Sequence, residues 1–273
     1  MLFRSDSALL ADRIMPRAML DERLDRLRAA GGYPPAGAPV LAVQGCDLLT
    51  PHVDAVVAEL QRWRAARPVR PDVVVLETGR CRGDGPVAEA LEAAFGATAA
   101  SGRIWRLPAG ATVEDLAAAV VGADAFVGSS LHGAITAFVY GRAFVLLNLI
   151  DDAKLDGFGD VTGLDGRVVH HAGEVGGALD RALAEPPPPG LLSGLQARID
   201  RHFDRIAELA GARAQARPEV GPDPGLDSYA VLDQLARLRA DLGAAERELS
   251  ALQATKTFRW LAPARELYAR FRR

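Results

Sequence analysis

Along the first 150 residues, short apolar runs alternate with longer amphipathic stretches. Val40–Gln44 (VLAVQ), Asp72–Glu77 (DVVVLE), Ile104–Leu107, Ala125–Gly128 and Phe144–Asn148 are short, nearly continuous apolar runs, and each reads as a strand. Between them the apolar spacing changes to three and four residues. Residues 16–30 place Leu20, Leu24 and Leu27 on one helical face. Thr50-Pro51 offers an N-cap and first-turn pair for a helix to about Ala66, and Pro86 opens another that reaches Phe95. Thr112 caps a third, with Asp115 as a capping-box-like partner, and a further helix starts near Leu131. Apolar strands alternating with helices mark a parallel sheet covered on both faces, so the expected fold is α/β, a doubly wound parallel sheet. Ligands of such a sheet sit beyond the carboxyl ends of its strands. Here those ends are Gln44-Gly45-Cys46, Thr78-Gly79-Arg80, Gly128-Ser129-Ser130 and Asn148.

The pattern changes after four consecutive prolines, 186–189, which lead into a helix from about Leu191 to Ala210. The α/β domain is therefore assigned to residues 1–211. Residues 212–226 are rich in Pro, Gly and charge and suit a linker. Within 227–256 an a/d series runs Val231, Leu235, Leu238, Leu242, Ala245, Leu249, Leu252. That heptad supports a C-terminal coiled-coil helix and a homo-oligomer; one helix folding back on the domain is the alternative.

Charge refines this division. The formal net charge is −3, yet residues 256–273 hold six basic residues against Glu266 alone. That local +5 leaves about −8 on the remainder, which argues against nucleic acid as a partner. In the tail, 257–273, a helical wheel gathers Trp260, Leu261, Ala264, Leu267, Tyr268 and Phe271 on one face, with Arg259, Arg270 and Arg273 opposite. This basic amphipathic pattern suits an anionic membrane surface, with docking on the protein's own domain as the plainer alternative. Pro263 marks a kink or a new helix start. No apolar run approaches the ~18 residues of a membrane span, and no secretory signal opens the chain. The expected location is cytoplasmic, with the tail at the inner face of the plasma membrane. Two cysteines, Cys46 and Cys81, are too few for a disulfide framework and read as small thiols just after strands.

The densest chemical signal is Phe126–Gly141 (FVGSSLHGAITAFVYG). A strand ends at Gly128, Ser129 or Ser130 caps a helix, and His132 lies in its first turn. A helix start presents unpaired N–H groups and a partial positive charge, suited to phosphate or carboxylate. Gly133 removes a side chain where a ligand would approach the backbone. His132 lies about 100° around the helix from the Leu131/Ile135/Phe138 stripe, so it need not enter the core. A capping loop with a satisfied histidine explains the same residues without a ligand.

This segment resembles the S-x-L-H-G-x-I-x-A-x-x-x-G motif of the polysaccharide pyruvyl transferase family, matched by Ser129, Leu131, His132, Gly133, Ile135, Ala137 and Gly141. Asp6-Ser7-Ala8-Leu9-Leu10 is similar to the D-S-A-L-L end of that family's first half, and Leu41–Gln44 to the strand opening its second half. Leu76–Asp84 resembles its polar loop before a helix, and Lys154–Phe158 its K-L-x-G-F segment. The resemblance implies a Rossmann-like domain, one half of a GT-B-like two-domain transferase with its active site between the halves. It implies transfer of a pyruvyl group from phosphoenolpyruvate to hydroxyls of a polysaccharide or lipid-linked sugar acceptor, forming a ketal in polysaccharide biosynthesis. The chain begins where the second half begins, so activity is expected to need a first half. No metal or cofactor is implied; phosphoenolpyruvate is the donor substrate.

On that reading His132 is the catalytic acid/base or a phosphate contact, and Ser129, Ser130 and Gly133 bind the anion. Many members carry Arg before Leu-His-Gly; Ser130 stands here, so Arg80, Arg82 and Lys154 are expected to supply positive charge. Gln44, Asp84 and Asn148 complete the expected substrate-binding set. For each a plainer reading stays open: a solvated loop for Arg80, Arg82 and Asp84, an ordinary surface lysine for Lys154, and a backbone-satisfying amide for Gln44. His170-His171 precede a helix in a region without further metal-type ligands and read as structural. Residues 83–88 match G-x-G-x-x-A but begin six residues past the strand end, too late for a dinucleotide loop. The tail also resembles the basic W-R-x-x-x-P-x-R ends of bacterial surface-polysaccharide glycosyltransferases, through Trp260, Pro263 and Arg265. The alternatives are therefore a nucleotide-sugar-dependent glycosyltransferase half and a non-catalytic coiled-coil scaffold.

Overall fold

Val40 and Ala42 face one side of the sheet while Leu41 and Val43 face the other, and all four are buried. That two-sided burial is why the strands read as unbroken apolar runs. In the computed structural model, which describes residues 6–78, 84–97, 103–107 and 110–216, the strands are β1 (Val40–Gln44), β2 (Asp72–Leu76), β3 (Ile104–Arg106), β4 (Ala125–Gly128), β5 (Ala143–Leu147) and β6 (Val168–Val169). They form one sheet in the order β3-β2-β1-β4-β5-β6, parallel at every pairing. This is the strand order of a Rossmann fold, and it reverses direction between β1 and β4. The register sets Gln44 level with Gly128, so both strands end together at that switch point.

The helices are α1 (Ala11–Ile14), α2 (Arg17–Ala29), α3 (Val53–Ala65), α4 (Asp84–Gly96), α5 (Val113–Gly122), α6 (Leu131–Val139), α7 (Ala153–Thr162), α8 (Val175–Ala184) and α9 (Leu191–Ala216). Side chains of α2, α5, α6 and α7 pack on one face of the sheet, joined by Leu9, Leu195 and Ile199. Those of α3, α4 and α8 cover the other. The chain divides between Ala207 and Glu208, and the α/β unit lies before that point. Among the described residues no helix is long and apolar enough to cross a membrane. Arg80, Cys81, Arg82, the heptad of 227–256 and the basic tail of 257–273 lie outside the described residues.

Three elements differ from expectation. Thr50-Pro51 does not cap α3: the Thr50 hydroxyl donates to the Asp47 carbonyl at 2.6 Å, and Asp47–His52 form a 3-10 turn first. Strand β6 has only two residues, too few to show a period. Helix α9 runs to Ala216 rather than ending near Ala210. The intervening Ala-Arg-Ala-Gln-Ala favours helix, and the first proline is Pro218. The Thr112 capping box is present as read: its hydroxyl accepts the Asp115 N–H, and the Asp115 carboxylate accepts the Thr112 N–H at 2.9 Å.

Candidate functional site

The switch point is held shut from below by one buried amide. Gln44, at 2% exposure, accepts the Ser130 N–H on Oε1 at 2.9 Å and donates from Nε2 to Asp84 Oδ2 at 3.2 Å. The same Asp84 oxygen accepts the Thr78 N–H at 3.2 Å and the Thr78 hydroxyl at 2.9 Å. Asp84 stands at the first turn of α4, where the helix dipole favours a carboxylate. The ends of β1, β2 and β4 are thereby tied into one hydrogen-bonded unit. Ser129 adds a cross-link, its hydroxyl accepting the Cys46 N–H at 3.3 Å. Gln44 and Asp84 direct their polar atoms inward, so they shape the turn rather than line a surface.

Ser130 is the N-cap of α6, and its hydroxyl accepts the Gly133 N–H at 3.2 Å. This alters the expected anion cradle, because the amides of Ser130 and Gly133 already have acceptors in Gln44 and Ser130. The Leu131 amide, at the first helical position, has no acceptor within the helix by its place in it. Gly133 also has a different reason from the one read in the sequence. A Cβ there would lie 2.5 Å from Cζ of Phe126, and one at Gly128 would lie 2.8 Å from the same atom. The Phe126 ring, rising from β4, occupies the space beneath the turn. Both glycines let the backbone close over that ring, and neither clears room for a ligand.

His132 projects away from the core with its side chain 74% exposed. Its Nε2 lies 3.5 Å from Oδ2 of Asp6, which is only 20% exposed. Asp6 caps the turn Ser7–Leu10, its Oδ1 accepting the Ala8 N–H at 2.9 Å. The hydrogen bond with His132 is the largest influence on Asp6 and holds its carboxyl below the usual range, against the opposing effect of burial. A depressed carboxyl stabilises the fold above the ordinary carboxylate range, and that contribution is lost as pH falls through the lowered value. In the sequence Asp6 stood out only as part of the D-S-A-L-L string, with no role of its own. Nothing local to either segment signals that the two meet.

The end of β5 carries a separate group. Asn148 is fully buried, donating from Nδ2 to Asp156 Oδ1 at 2.7 Å and to the Asp152 carbonyl at 3.2 Å, and accepting the Asp152 N–H at 2.7 Å. It braces a turn in which Asp151 adopts φ 54°, in the left-handed region that non-glycine residues rarely enter. Lys154 is exposed in the first turn of α7, where its N–H donates to the Asp152 carboxylate at 2.9 Å. The region of His170 is more acidic than its sequence neighbours suggest. Its Nε2 is 3.3 Å from Asp156 Oδ1 and its Nδ1 3.5 Å from Asp151 Oδ1. Among the described residues, no group of three or more His, Cys, Asp or Glu side chains is placed to hold a metal ion.

Gln44, Asp84, Ser129, Ser130 and Gly133 thus belong to one unit with His132 on its outer rim, while Asn148 and Lys154 belong to the neighbouring strand end. The arrangement defines a Rossmann-like α/β domain with a histidine-bearing helix start at its switch point. No family model matches the sequence, and no curated protein does. Solved structures of similar shape include a UDP-forming α,α-trehalose-phosphate synthase from Burkholderia xenovorans, at 17% identity and TM-score 0.46, covering 75% of this chain and 51% of that one. Another is the α,α-trehalose 6-phosphate synthase of Burkholderia multivorans, at 18% identity and TM-score 0.43, covering 78% and 49%. The N-terminal domain of the Candida albicans trehalose-6-phosphate phosphatase matches at 12% identity and TM-score 0.42, covering 71% and 43%. This chain spans about half the length of the two synthases. Similarity this distant identifies no shared chemistry, and the fold rests on the chain's own strand order.

Proposed function

We propose that this domain is the donor-binding half of a polysaccharide pyruvyl transferase, taking phosphoenolpyruvate at the start of α6. One observation carries the reading: two segments that resemble that family, D-S-A-L-L and S-x-L-H-G, lie far apart in sequence and meet through Asp6 and His132 at the switch point. The Leu131 amide and the α6 dipole suit a phosphate or carboxylate, and His132 suits proton transfer. In the proposed reaction an acid protonates the methylene carbon of phosphoenolpyruvate and a sugar hydroxyl attacks the adjacent carbon. A second hydroxyl of the same sugar closes the ketal as inorganic phosphate departs, carrying the displaced oxygen. A base takes the hydroxyl protons. Lys154, Arg80 and Arg82 are the proposed sources of positive charge, and a polysaccharide or its lipid-linked precursor is the proposed acceptor.

A Rossmann-like sheet serves nucleotide-sugar enzymes as well, so the donor decides between the readings. Phosphoenolpyruvate is expected to raise the thermal midpoint of the full chain in a saturable way, while UDP-glucose leaves it unchanged. His132→Ala is expected to weaken donor binding by roughly 10- to 100-fold, as the loss of one hydrogen bond to a charged group implies at about 1.5–3 kcal/mol. Stabilisation by UDP-glucose alone would favour the glycosyltransferase reading. An effect from neither ligand would leave the scaffold.

A further inference from the structure

We infer that Asp6 is a positioning residue for His132, holding the exposed imidazole in a fixed orientation at the rim of the site and favouring its protonated form. The inference deepens the reading of His132 as an acid and rests on it for its catalytic meaning, although the pairing itself requires no donor. Three observations place Asp6 for this task. Its two carboxylate oxygens divide their work, Oδ1 capping the turn through Ala8 and Oδ2 facing His132 Nε2 at 3.5 Å. The segment that carries it is fastened to the body: Leu9 is buried, Gln196 donates to the Leu9 carbonyl at 2.9 Å, and the Tyr140 hydroxyl donates to the Met15 carbonyl. Among the described residues of that segment, the neighbouring charges are turned elsewhere, Asp12 accepting from Gln196 at 2.9 Å and Arg13 pairing with Asp200 at 2.7 Å.

The helix dipole at the start of α6 disfavours an imidazolium at His132. A carboxylate on Nε2 opposes that effect and gives the ring a directed contact. This suits a group that must deliver a proton to carbon, because the acid has to be charged before the donor arrives. The cap and the ion pair are separable by substitution. Asparagine and serine both cap such turns well, so Asp6→Asn removes the charge and Asp6→Ser removes charge and reach while Ala8 keeps its acceptor.

The test is an NMR pH titration of the imidazole resonances in the full chain without ligand, with His132 assigned from the spectrum of His132→Ala. In Asp6→Asn and Asp6→Ser the His132 midpoint is expected to move to lower pH, and those of His52, His170, His171 and His202 to stay in place. Asp6→Glu is expected to recover part of the shift. An unchanged His132 midpoint in whichever of Asp6→Asn and Asp6→Ser retains the wild-type thermal midpoint would overturn the inference. A shifted midpoint in a chain that fails to bind phosphoenolpyruvate would uphold the pairing and reject only the proposed function.

Discussion

Gln44→Ala is expected to lower the stability of the α/β unit by about 2–5 kcal/mol. The substitution deprives the half-buried Ser130 N–H of its acceptor and the buried Asp84 of one of its donors. Each orphaned polar group costs about 1–3 kcal/mol, and the truncated side chain leaves a void besides. In a unit of this size 1 kcal/mol corresponds to about 2–4 °C, so the midpoint should fall by roughly 5–15 °C. Gln44→Met separates the two contributions, because it keeps most of the volume and none of the hydrogen bonds. If Gln44→Met unfolds at the wild-type temperature, the bridge does not hold the switch point and its place in this account is wrong.

Gly133→Ala gives the second large effect, and its sign is informative. Helix propensity alone predicts a gain of about 1 kcal/mol from replacing glycine inside a helix. The Phe126 ring predicts the opposite, since a methyl group would stand 2.5 Å from its Cζ atom. Overpacking of this kind costs about 1–3 kcal/mol, so the net expectation is destabilisation, larger again for Gly133→Val. Phe126→Leu should relieve part of that cost in the double variant, and chemical denaturation of the four chains gives the coupling between the two sites. A Gly133→Ala chain more stable than wild type would show that the ring moves aside freely.

The layered fold was legible because its strands are buried on both faces and therefore read as apolar runs. The Thr112 capping box was legible because both partners lie within one turn. The strand order was not, and the consequences centre on Gln44. Nothing local says that its amide will meet Ser130 across β1 and β4, or that Asp84 will approach it from the first turn of α4. Gly133 was marked as special for a reason that required knowing its neighbour. The sequence shows that a side chain is absent there, and only the fold shows that Phe126 occupies the space. His132 was placed off the apolar stripe by helical periodicity and is exposed in the structure, whereas its partner Asp6 depends on how the first turn docks against α6. Strand β6 and the acidic surroundings of His170 were not legible, because two residues carry no periodicity and Asp151 and Asp156 reach that histidine from the turn before α7 and from α7 itself.

The central claim is that the start of α6 binds phosphoenolpyruvate. Mapping backbone amide shifts of the full chain during a titration with that compound tests it most directly. The account predicts saturable changes concentrated at Gly45, Cys46 and Ser130–Gly133, reduced in His132→Ala and absent when UDP-glucose replaces the donor. Saturating phosphoenolpyruvate that leaves those amides unmoved, or UDP-glucose that moves them instead, would contradict it.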